Sequence, residues 1–569
     1  MRYEPERIGY AMDIFGSIKK ASKKDPVSNV HMIGINGISM SGLAELLLDM
    51  GYFVSGSDLS QSERTKKLEE MGATIYKGHA GENLQDPDVV VFTSAVRGGN
   101  PELERAHKMG VPCIERAKLL GLIMSRYKKP IAVCGTHGKT TSTAMVTEVL
   151  TTAGFDPTAH IGAEYKFIGG TTRIGGSEFF IAEACEYCES FLQLFPHIAL
   201  ISNVELDHID YFKDIQHFKE SFESFARQVQ ESGFVIANGD DPNCVDIFKG
   251  LTPDEQKKWV FFGMKEESRS LCGVYAENIE FDSSCYGMFD AVIRNNPHAE
   301  QGISIGAGSS SAQTTDMRCG SDGRQDADMR CGSDGRQDAD ERCGLDGGQN
   351  DDMRCSSDGG QNTDMRYGLD GGQDTSIRIR LSTPGMHNVY NALAAISACH
   401  MAGCPTNYIC SGLLSFRGAD KRFEYKGTVN GMKIVDDYAH HPSEVVYAIE
   451  TGKKLVGGSR LFCVFQPHTY TRTRHFINEF ADALMPADTI ILADIYAARE
   501  PDPGDISSKT LADAINNNGG NAVYIKEGFE EIAKYLLDNG KPGDLVITMG
   551  AGEAVKVADI LLQPETASG

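Results

Sequence analysis

Residues 131–141 read Ile-Ala-Val-Cys-Gly-Thr-His-Gly-Lys-Thr-Thr. A short apolar run ends at Gly135, a turn runs to Gly138, and residues 142–150 are compatible with a helix. A strand, a glycine turn, Lys-Thr and a helix together bind phosphates through backbone N–H groups, a helix N-terminus, a lysine and a magnesium-binding hydroxyl. The loop has two residues between its glycines where the full pattern has four, so a chance Gly-Lys-Thr turn is the alternative. Because a strand precedes it and a helix follows, the stretch predicts nucleotide binding.

Composition narrows the class of protein. A chain of 569 residues is long enough for three or four domains, and 24% charged and 41% hydrophobic residues are ordinary for a globular enzyme. A formal charge of −24 argues against non-specific nucleic-acid binding. No apolar run approaches the roughly 20 residues of a spanning helix, and residues 1–25 lack a signal-peptide core. The sequence therefore predicts a cytoplasmic protein that binds neither nucleic acid nor membrane, with its 15 cysteines as free thiols.

A second glycine turn lies near the N-terminus. Residues 29–35 predict a buried strand that runs into Gly-Ile-Asn-Gly-Ile-Ser-Met-Ser-Gly at 34–42, and a helix and a second strand follow before Asp58. This βαβ opening is typical of dinucleotide-binding folds. Asn36 and Ser39 stand where the second and third glycines of that fingerprint would be, so a UDP-sugar fits at least as well as NAD. A turn that binds nothing is the alternative.

Two polar clusters follow predicted strands in the middle of the chain. They read Glu-Ala-Cys-Glu-Tyr-Cys at 183–188 and Asn-Val-Glu-Leu-Asp-His at 203–208. Parallel sheets place ligands at such strand ends, so a carboxylate and an imidazole there could complete a magnesium shell around ATP. Solvated loop charges are the alternative. Cys185 and Cys188 form a single Cys-x-x-Cys pair, and without a second pair we interpret them as ordinary thiols.

From residue 316 a twelve-residue unit, approximately Asp-Met-Arg-Cys-Gly-Ser-Asp-Gly-Gly-Gln-Asp-Ala, repeats five times. It has almost no aliphatic residues and cannot bury a core, so residues 296–376 are predicted to be a disordered insertion in a surface hairpin. Its Asp-Gly steps are similar to calcium-binding repeats, but the period and the ligand spacing do not match them.

Beyond residue 416, four apolar strands each end in a polar or glycine-rich loop, which predicts a doubly wound α/β domain with its site at the strand ends. Just before this region, Asn388 and Asn391 share one helical face and could contact a purine edge. Capping and turn formation are the alternative for the two amides.

Five motifs in this order resemble the Mur ligase family. They are the 34–42 turn, Gly-Thr-His-Gly-Lys-Thr-Thr at 135–141, His-Asn-x-x-Asn at 387–391, Asp-Asp-Tyr-Ala-His-His-Pro at 436–442 and Phe-Gln-Pro-His at 465–468. The resemblance runs from about residue 29 to 552 and is interrupted by the repeats. It implies an α/β fold of three domains: a Rossmann-like UDP-binding domain at 1–122, a P-loop-type ATPase domain with a mixed sheet at 123–415, and a Rossmann-like ligase domain at 416–569.

The resemblance also implies an activity. Members most similar to this chain would join L-alanine to the carboxylate of UDP-N-acetylmuramate through an acyl phosphate, with ATP and Mg²⁺, in peptidoglycan precursor synthesis. The alternative within the family attaches a tripeptide to the same sugar. Alternatives from other classes are a nucleotide-binding regulator without turnover and an NAD-linked oxidoreductase. A monomer and a homodimer are both compatible with the sequence, as are alanine, serine and glycine as the amino acid.

The resemblance further implies roles for individual residues. The catalytic residues would be Lys139, His208, Arg422 and His440. ATP would contact Gly135, Thr136, His137, Gly138, Lys139, Thr140, Thr141, Asn388, Asn391 and Arg422. The UDP-sugar would contact Gly34, Gly37, Ser39, Met40, Ser41 and Asp58. The acceptor and its carboxylate would meet Asp437, His441 and Arg472, and magnesium would bind Thr140, Glu183 and His208.

The chain departs from the family pattern at three places. Cys185 and Cys188 replace two acids that members often carry, while Glu183 is kept. Thr469 stands where an arginine is usual, which leaves Arg472 or Arg474 to hold a substrate carboxylate. Asn36 and Ser39 also replace family glycines in the UDP loop.

Overall fold

A computed structural model of the chain describes residues 29–93, 96, 98–295, 374–498 and 500–563. The predicted disorder of the twelve-residue repeats lies outside these residues, apart from the last two repeat positions. Three sheets, of five, ten and six strands, form the framework. Within the described chain, no helix combines the length and the apolar character needed to cross a bilayer.

The N-terminal sheet is entirely parallel, with strand order β3-β2-β1-β4-β5. Its elements are β1 (Asn29–Ile33), α1 (Ile38–Asp49), β2 (Phe53–Asp58), α2 (Glu63–Glu70), β3 (Thr74–Lys77), β4 (Val89–Phe92), α3 (Pro101–Met109), β5 (Cys113–Glu115) and α4 (Arg116–Met124). The strand order reverses beside β1, so the turn after β1 opens at the crevice where doubly wound sheets bind ligands. The Rossmann-like fold predicted for this region is confirmed.

The middle sheet has the order β15-β14-β13-β12-β11-β10-β6-β9-β7-β8. Its first elements are β6 (Lys129–Cys134), α5 (Lys139–Thr152), β7 (Thr158–Tyr165), β8 (Gly170–Arg173), β9 (Phe179–Glu183), β10 (Ile198–Ile201), α6 (Ile215–Ala226) and β11 (Phe234–Asn238). There follow α7 (Pro242–Lys249), α8 (Pro253–Gln256), β12 (Trp259–Gly263), β13 (Cys272–Phe281), β14 (Tyr286–Ile293), β15 (Thr375–Pro384), α9 (Met386–Met401) and α10 (Thr406–Ser415). Strands β6, β9, β10 and β11 run parallel, whereas β7–β8, β13–β14 and β14–β15 are antiparallel pairs, as the predicted mixed sheet requires.

The C-terminal sheet has the order β16-β17-β21-β18-β19-β20, and only β16 is antiparallel to its neighbour. Its elements are β16 (Glu424–Val429), β17 (Met432–Asp437), α11 (Pro442–Val456), β18 (Leu461–Phe465), α12 (Tyr470–His475), α13 (Ile477–Leu484), β19 (Thr489–Leu492), α14 (Ser508–Asn517), β20 (Ala522–Tyr524), α15 (Phe529–Asn539), β21 (Leu545–Met549) and α16 (Val555–Leu562). Alternate residues of β18 enter two different apolar clusters, so both faces of the sheet are buried. This is the predicted doubly wound arrangement.

Helix α1 packs against β7 and β8 and so attaches the N-terminal sheet to the middle one. Gly42 lies at this contact, where a Cβ atom would meet Thr172 and would lie 2.8 Å from the His160 ring. The close approach therefore depends on the absence of a side chain at Gly42.

The ends of β14 and β15 lie side by side where the repeat-containing segment leaves the sheet. Ile293 is opposite Thr375, and the backbone N–H of Asn295 donates to the Asp374 carboxylate at 3.4 Å. Strand β15 begins at Thr375, two residues inside the range expected for the insertion. A short turn is therefore sufficient to connect the two strands.

Replacing residues 297–373 with a four-residue turn containing Asn-Gly should leave the described fold intact, because the strand ends already face each other. We expect the midpoint of thermal unfolding to change by less than about 3 °C, which is under about 1 kcal/mol for domains of this size. The control is a variant that keeps the length and composition of residues 297–373 but shuffles their order. It separates an effect of the sequence from an effect of the length. A much lower midpoint in the shortened protein alone would contradict this account.

Candidate active site

The turn between β6 and α5 has a backbone that only glycine adopts easily. Gly135 has a φ of 128° and Gly138 a φ of 83°. A Cβ atom at Gly135 would meet the Ser202 side chain, and one at Gly138 would meet the Asn391 side chain. The two glycines therefore allow the loop to lie directly against β10 and α9.

Lys139 begins α5 and folds back over this loop. Its Nζ donates to the carbonyls of Gly135 and Thr136 at 2.6 and 3.0 Å, and to Glu186 Oε1 at 2.9 Å. Burial alone would lower the pKa of Lys139, but the Glu186 carboxylate outweighs burial and raises it above the ordinary value. The ammonium group is therefore held protonated at the place where a phosphate group would enter.

Thr140 and Glu183 come together as predicted, whereas His208 lies against a different acid. Thr140 Oγ1 donates to Glu183 Oε2 at 3.1 Å, and Glu183 Oε1 accepts from the Gly162 N–H at 2.6 Å. His208 Nε2 lies 3.4 Å from Glu186 Oε1. The other oxygen of Glu186 is buried and hydrogen-bonds to none of the described residues. Sequence analysis gave Glu186 no role, although its place in the acidic cluster after β9 was a signal.

A cavity of about 400 Å³ opens beside the loop, between the middle and C-terminal domains. Among its lining residues are Asn388, Asn391, Arg422, Asp437, Glu444 and Tyr447. The two asparagines also serve locally, since Asn388 Nδ2 donates to the Pro384 carbonyl at 2.7 Å and Asn391 Nδ2 donates to Asn388 Oδ1 at 3.1 Å. Both asparagines therefore line the cavity and also make local hydrogen bonds, and their contact with a purine edge stays a prediction.

Arg422 reaches from the C-terminal domain to the phosphate loop. One terminal nitrogen donates to Thr140 Oγ1 at 3.4 Å, and the guanidinium lies 5.0 Å from the centre of the Tyr438 ring. Asp437 accepts from the N–H groups of Phe423 and Ala439, both at 2.7 Å, and burial raises its pKa to about 7. These contacts hold both charged side chains at the cavity wall.

Of the two histidines of the Asp-Asp-Tyr-Ala-His-His-Pro motif, His441 is buried and His440 is half-buried, and both lie close to carboxylates. His440 Nδ1 lies 2.9 Å from the Tyr438 carbonyl, which favours the proton on Nδ1, and burial lowers the pKa of His440 to about 4. His441 lies near His137, which sits between Glu205 and Glu444 at 3.0 Å from each. Glu444, three residues after the N-cap residue His441, completes the capping box of α11 by accepting from the His440 and His441 N–H groups at 3.0 and 3.3 Å, and was missed by sequence analysis.

Arg472 is buried against an acid of the middle domain. Its Nε and one terminal nitrogen donate to Asp207 Oδ1 at 3.1 and 2.7 Å, and its other terminal nitrogen lies 2.9 Å from His468 Nδ1. Asp207 and Arg472 are only 5% and 6% exposed. Thr469, where the family resemblance predicts an arginine, caps α12 by accepting from the Arg472 N–H. In this structure Asp207 therefore accepts hydrogen bonds from the guanidinium group that was expected to bind a substrate carboxylate.

The N-terminal loop is built around Asp58. The Gly34 N–H donates to the Ser57 carbonyl at 2.8 Å, and the Asn36 N–H donates to Asp58 Oδ2 at 3.1 Å. The Asn36 side chain hydrogen-bonds to Ser60 and Ser62, so the residue that replaces a glycine ties the loop to the segment after β2.

Among the residues predicted to bind the UDP-sugar, Ser39 contacts a polar side chain of the middle domain. Ser39 Oγ lies 2.8 Å from His160 Nε2 and accepts from Arg116 at 2.9 Å. Met40 and Ser41 are each 1% exposed inside α1, and the Ser41 N–H already donates to the Gly37 carbonyl at 2.8 Å. Gly37 precedes α1 and its N–H donates to the Gly34 carbonyl at 3.1 Å.

Comparison with known proteins matches this architecture along the chain. Three family models match: the Mur ligase family catalytic domain at residues 29–128, the Mur ligase middle domain at 133–304, and the Mur ligase glutamate ligase domain at 421–552. A UDP-N-acetylmuramate–L-alanine ligase from Acetivibrio thermocellus is 41% identical over 535 residues, covering 94% of this chain and 96% of the relative. The chain belongs to the Mur ligase family.

Two solved structures of Mur ligases share the fold. A UDP-N-acetylmuramate–alanine ligase from Thermotoga maritima has a TM-score of 0.67 and 23% identity, and covers 94% of this chain and 98% of its own. A murein peptide ligase from Psychrobacter arcticus has a TM-score of 0.61 and 22% identity over the same shares of the two chains. Mur ligases are ATP-dependent, which agrees with a phosphate loop at the centre of the site.

Arg472→Ala should strongly destabilise this Mur ligase, because it leaves the Asp207 carboxylate buried without a counter-ion. We expect a loss of about 3–5 kcal/mol in the free energy of unfolding of the affected transition, measured by urea denaturation. Arg474→Ala is the matched control: Arg474 makes an exposed ion pair with Asp505, which is worth about 0–1 kcal/mol. Equal unfolding midpoints for the two variants would show that the buried ion pair stabilises the protein no more than the exposed one.

Asp436 provides a test of pH dependence. Burial raises its pKa to about 6, although Thr548 Oγ1 donates to it at 2.6 Å, whereas an unfolded aspartate has a pKa near 3.9. The folded state therefore binds more protons between these values, and stability falls as pH rises from about 4 to about 6.

We expect wild type to lose about 2–3 kcal/mol of unfolding free energy over this range relative to Asp436→Asn, which cannot ionise. Asp538→Asn, on the exposed face of α15, is the control and should follow wild type. Parallel pH profiles for wild type and Asp436→Asn would contradict the assignment.

Proposed function

We propose that this protein joins L-alanine to the carboxylate of UDP-N-acetylmuramate in peptidoglycan precursor synthesis, with ATP as the energy source. The observation that carries the proposal is that Arg422 of another domain donates to Thr140 of the phosphate loop, beside a cavity that Arg422 lines together with His137, Gly138 and Thr141 of the same loop. The curated relative that shares 41% identity along nearly the whole chain has this activity in its name, which supports the choice of substrates.

The reaction takes place in two steps. A carboxylate oxygen of the sugar attacks the γ-phosphorus of ATP, so that a carbon–oxygen–phosphorus linkage forms and ADP leaves. The neutral amine of alanine then attacks the carbonyl carbon, and the tetrahedral intermediate expels phosphate to form the amide. Both steps concentrate negative charge, which fixed cations stabilise best in a site closed to water.

The side chains around the cavity suit these needs. Lys139 would move from the loop carbonyls and Glu186 to the outer phosphates, and Arg422 would reach the γ-phosphate from the opposite wall. His440, with its Nδ1 turned to the Tyr438 carbonyl and its pKa lowered to about 4, stays neutral near pH 7 and presents Nε2 as a hydrogen-bond acceptor that orients the alanine amine, whose proton passes to solvent. Asp437, His441 and Arg472 would line the acceptor side.

The residues beside the loop also fit Mg²⁺. Thr140, Glu183 and His208 offer a hydroxyl, a carboxylate and an imidazole, and the buried oxygen of Glu186 lacks a partner among the described residues. When bound there, Mg²⁺ would neutralise charge on the phosphates.

The N-terminal domain would hold the UDP part of the sugar at the 34–42 turn, with Ser39 and Asp58 as its polar contacts. We propose domain limits of 1–122, 123–415 and 416–569. We also propose that the enzyme works in the cytoplasm as a monomer or homodimer.

Phosphate release in the presence of ATP and UDP-N-acetylmuramate tests the proposal. Wild type should release phosphate when L-alanine is added and not when the tripeptide L-alanyl-γ-D-glutamyl-meso-diaminopimelate is added. Release with the tripeptide alone would favour the recycling activity instead.

The variant Lys139→Ala removes the loop cation and should lower kcat by at least about 100-fold, the usual cost of losing one charge-stabilising donor. Lys249→Ala, at the exposed end of α7, is the matched control and should retain full activity. Undiminished turnover by Lys139→Ala would show that the loop does not bind the reacting phosphates.

A further inference from the structure

Three side chains converge at the boundary between the phosphate loop and the C-terminal domain. They are His137 from the loop, Glu205 from the segment after β10, and His441 immediately before α11. One nitrogen or oxygen of each lies within 4.8 Å of the other two. Glu205 Oε2 is the central atom, at 3.0 Å from His137 Nε2 and 3.9 Å from His441 Nδ1.

The His441 backbone caps α11, but its ring makes no hydrogen bond that would explain its place in this group. Its ring is 2% exposed, and neither nitrogen hydrogen-bonds to any residue that the structure describes. A buried imidazole in this state loses its hydration without compensation, and buried polar groups are nearly always satisfied. Since Nδ1 faces the Glu205 carboxylate, the unpaired nitrogen points into the cluster.

The surrounding groups orient the other two side chains. Glu444 Oε1 lies 3.0 Å from His137 Nδ1, so the ring can donate there and direct Nε2 towards Glu205. Ser443 Oγ donates to Glu205 Oε1 at 2.5 Å, which leaves Oε2 for the centre of the cluster. Metal-binding histidines and carboxylates are held by such partners in known sites.

We propose that His137, Glu205 and His441 form a binding site for a divalent transition-metal ion of the Zn²⁺ class, separate from the Mg²⁺ residues beside the loop. Two imidazoles and one carboxylate suit Zn²⁺ or Co²⁺, whereas Mg²⁺ prefers an all-oxygen octahedral shell. Ligands about 2 Å from a tetrahedral ion lie roughly 3.3 Å apart. The observed separations of 3.0 and 3.9 Å bracket this value, so small side-chain shifts complete the site.

Charge and proton balance are compatible with such an ion. The metal takes the place of the proton on His137 Nε2, which passes to solvent, while Nδ1–H stays with Glu444. The carboxylates of Glu205 and Glu444 offset the two positive charges. A fourth position faces the cavity that His137 and Glu205 help to line, where water or a ligand oxygen can bind.

An ion bound at this site would link two domains. His137 and Glu205 belong to the middle domain and His441 to the C-terminal domain, so one ion bound to all three ties the phosphate loop to α11. The site does not depend on which substrates the enzyme ligates, and its test needs neither nucleotide nor turnover.

Co²⁺ titration of the metal-free, full-length protein tests the site. We expect one equivalent to bind with the visible bands of nitrogen and oxygen ligation in a low-symmetry site, and without a thiolate charge-transfer band. The latter matters because the chain has 15 cysteines that could also bind cobalt. His441→Gln and Glu205→Gln should each weaken this equivalent by at least about 100-fold, since each loses a direct ligand.

His475→Gln is the matched control, because His475 lies exposed at the end of α12, and it should bind cobalt as wild type does. Ser443→Ala should weaken binding by about tenfold, as expected for a residue that only orients a ligand. Unchanged binding in both His441→Gln and Glu205→Gln would overturn the proposal, as would absence of binding to wild type.

X-ray absorption of the wild-type zinc complex gives an answer that needs no variant, and so covers any variant that fails to fold. We expect a first shell of nitrogen and oxygen atoms with imidazole scattering. A shell dominated by sulfur would place the ion on cysteines and contradict the site.

Discussion

The buried ion pair between Asp207 and Arg472 joins the two domains that share the cavity. Both charges are buried: Asp207 accepts from Arg472 and from the His208 backbone N–H, and Arg472 also contacts His468. Such a pair is costly to separate, so it restricts how far α12 and the rest of the C-terminal domain can move from the end of β10. Arg422 reaches Thr140, and Glu444 reaches His137, only while that separation is maintained.

The same rule of paired charges explains the arrangement around the phosphate loop. Lys139 is matched by Glu186, and His137 by Glu205 and Glu444, so each of these half-buried cations has a carboxylate partner. The Glu205 and Glu444 carboxylates raise the pKa of His137 to about 9 despite burial. Phosphate oxygens brought by a nucleotide would offer Lys139 an equivalent partner, so the lysine is already charged, and close to the loop, when the substrate arrives.

The sequence predicts the local parts of this site well and its long-range contacts poorly. Gly135, Gly138 and the polar loops after apolar strands could be assigned because strands and glycine turns are specified by neighbouring residues. The pairing of Arg472 with Asp207 joins positions 265 residues apart, and the sequence around neither residue predicts it. Asn36 appeared as a departure from the family, and only the fold shows that it binds Ser60 and Ser62. Likewise, β13 and β14 are strands that the sequence analysis did not identify.

The central claim is that ATP phosphorylates the substrate carboxylate in the cavity between these domains before the amine attacks it. Oxygen tracing tests this most directly: UDP-N-acetylmuramate labelled with ¹⁸O in its carboxylate is converted with ATP and L-alanine, and the released phosphate is analysed by mass spectrometry. An acyl phosphate transfers one carboxylate oxygen to phosphorus, so each phosphate should carry one ¹⁸O atom, with the other retained in the amide. Ligation that releases unlabelled phosphate would contradict the account.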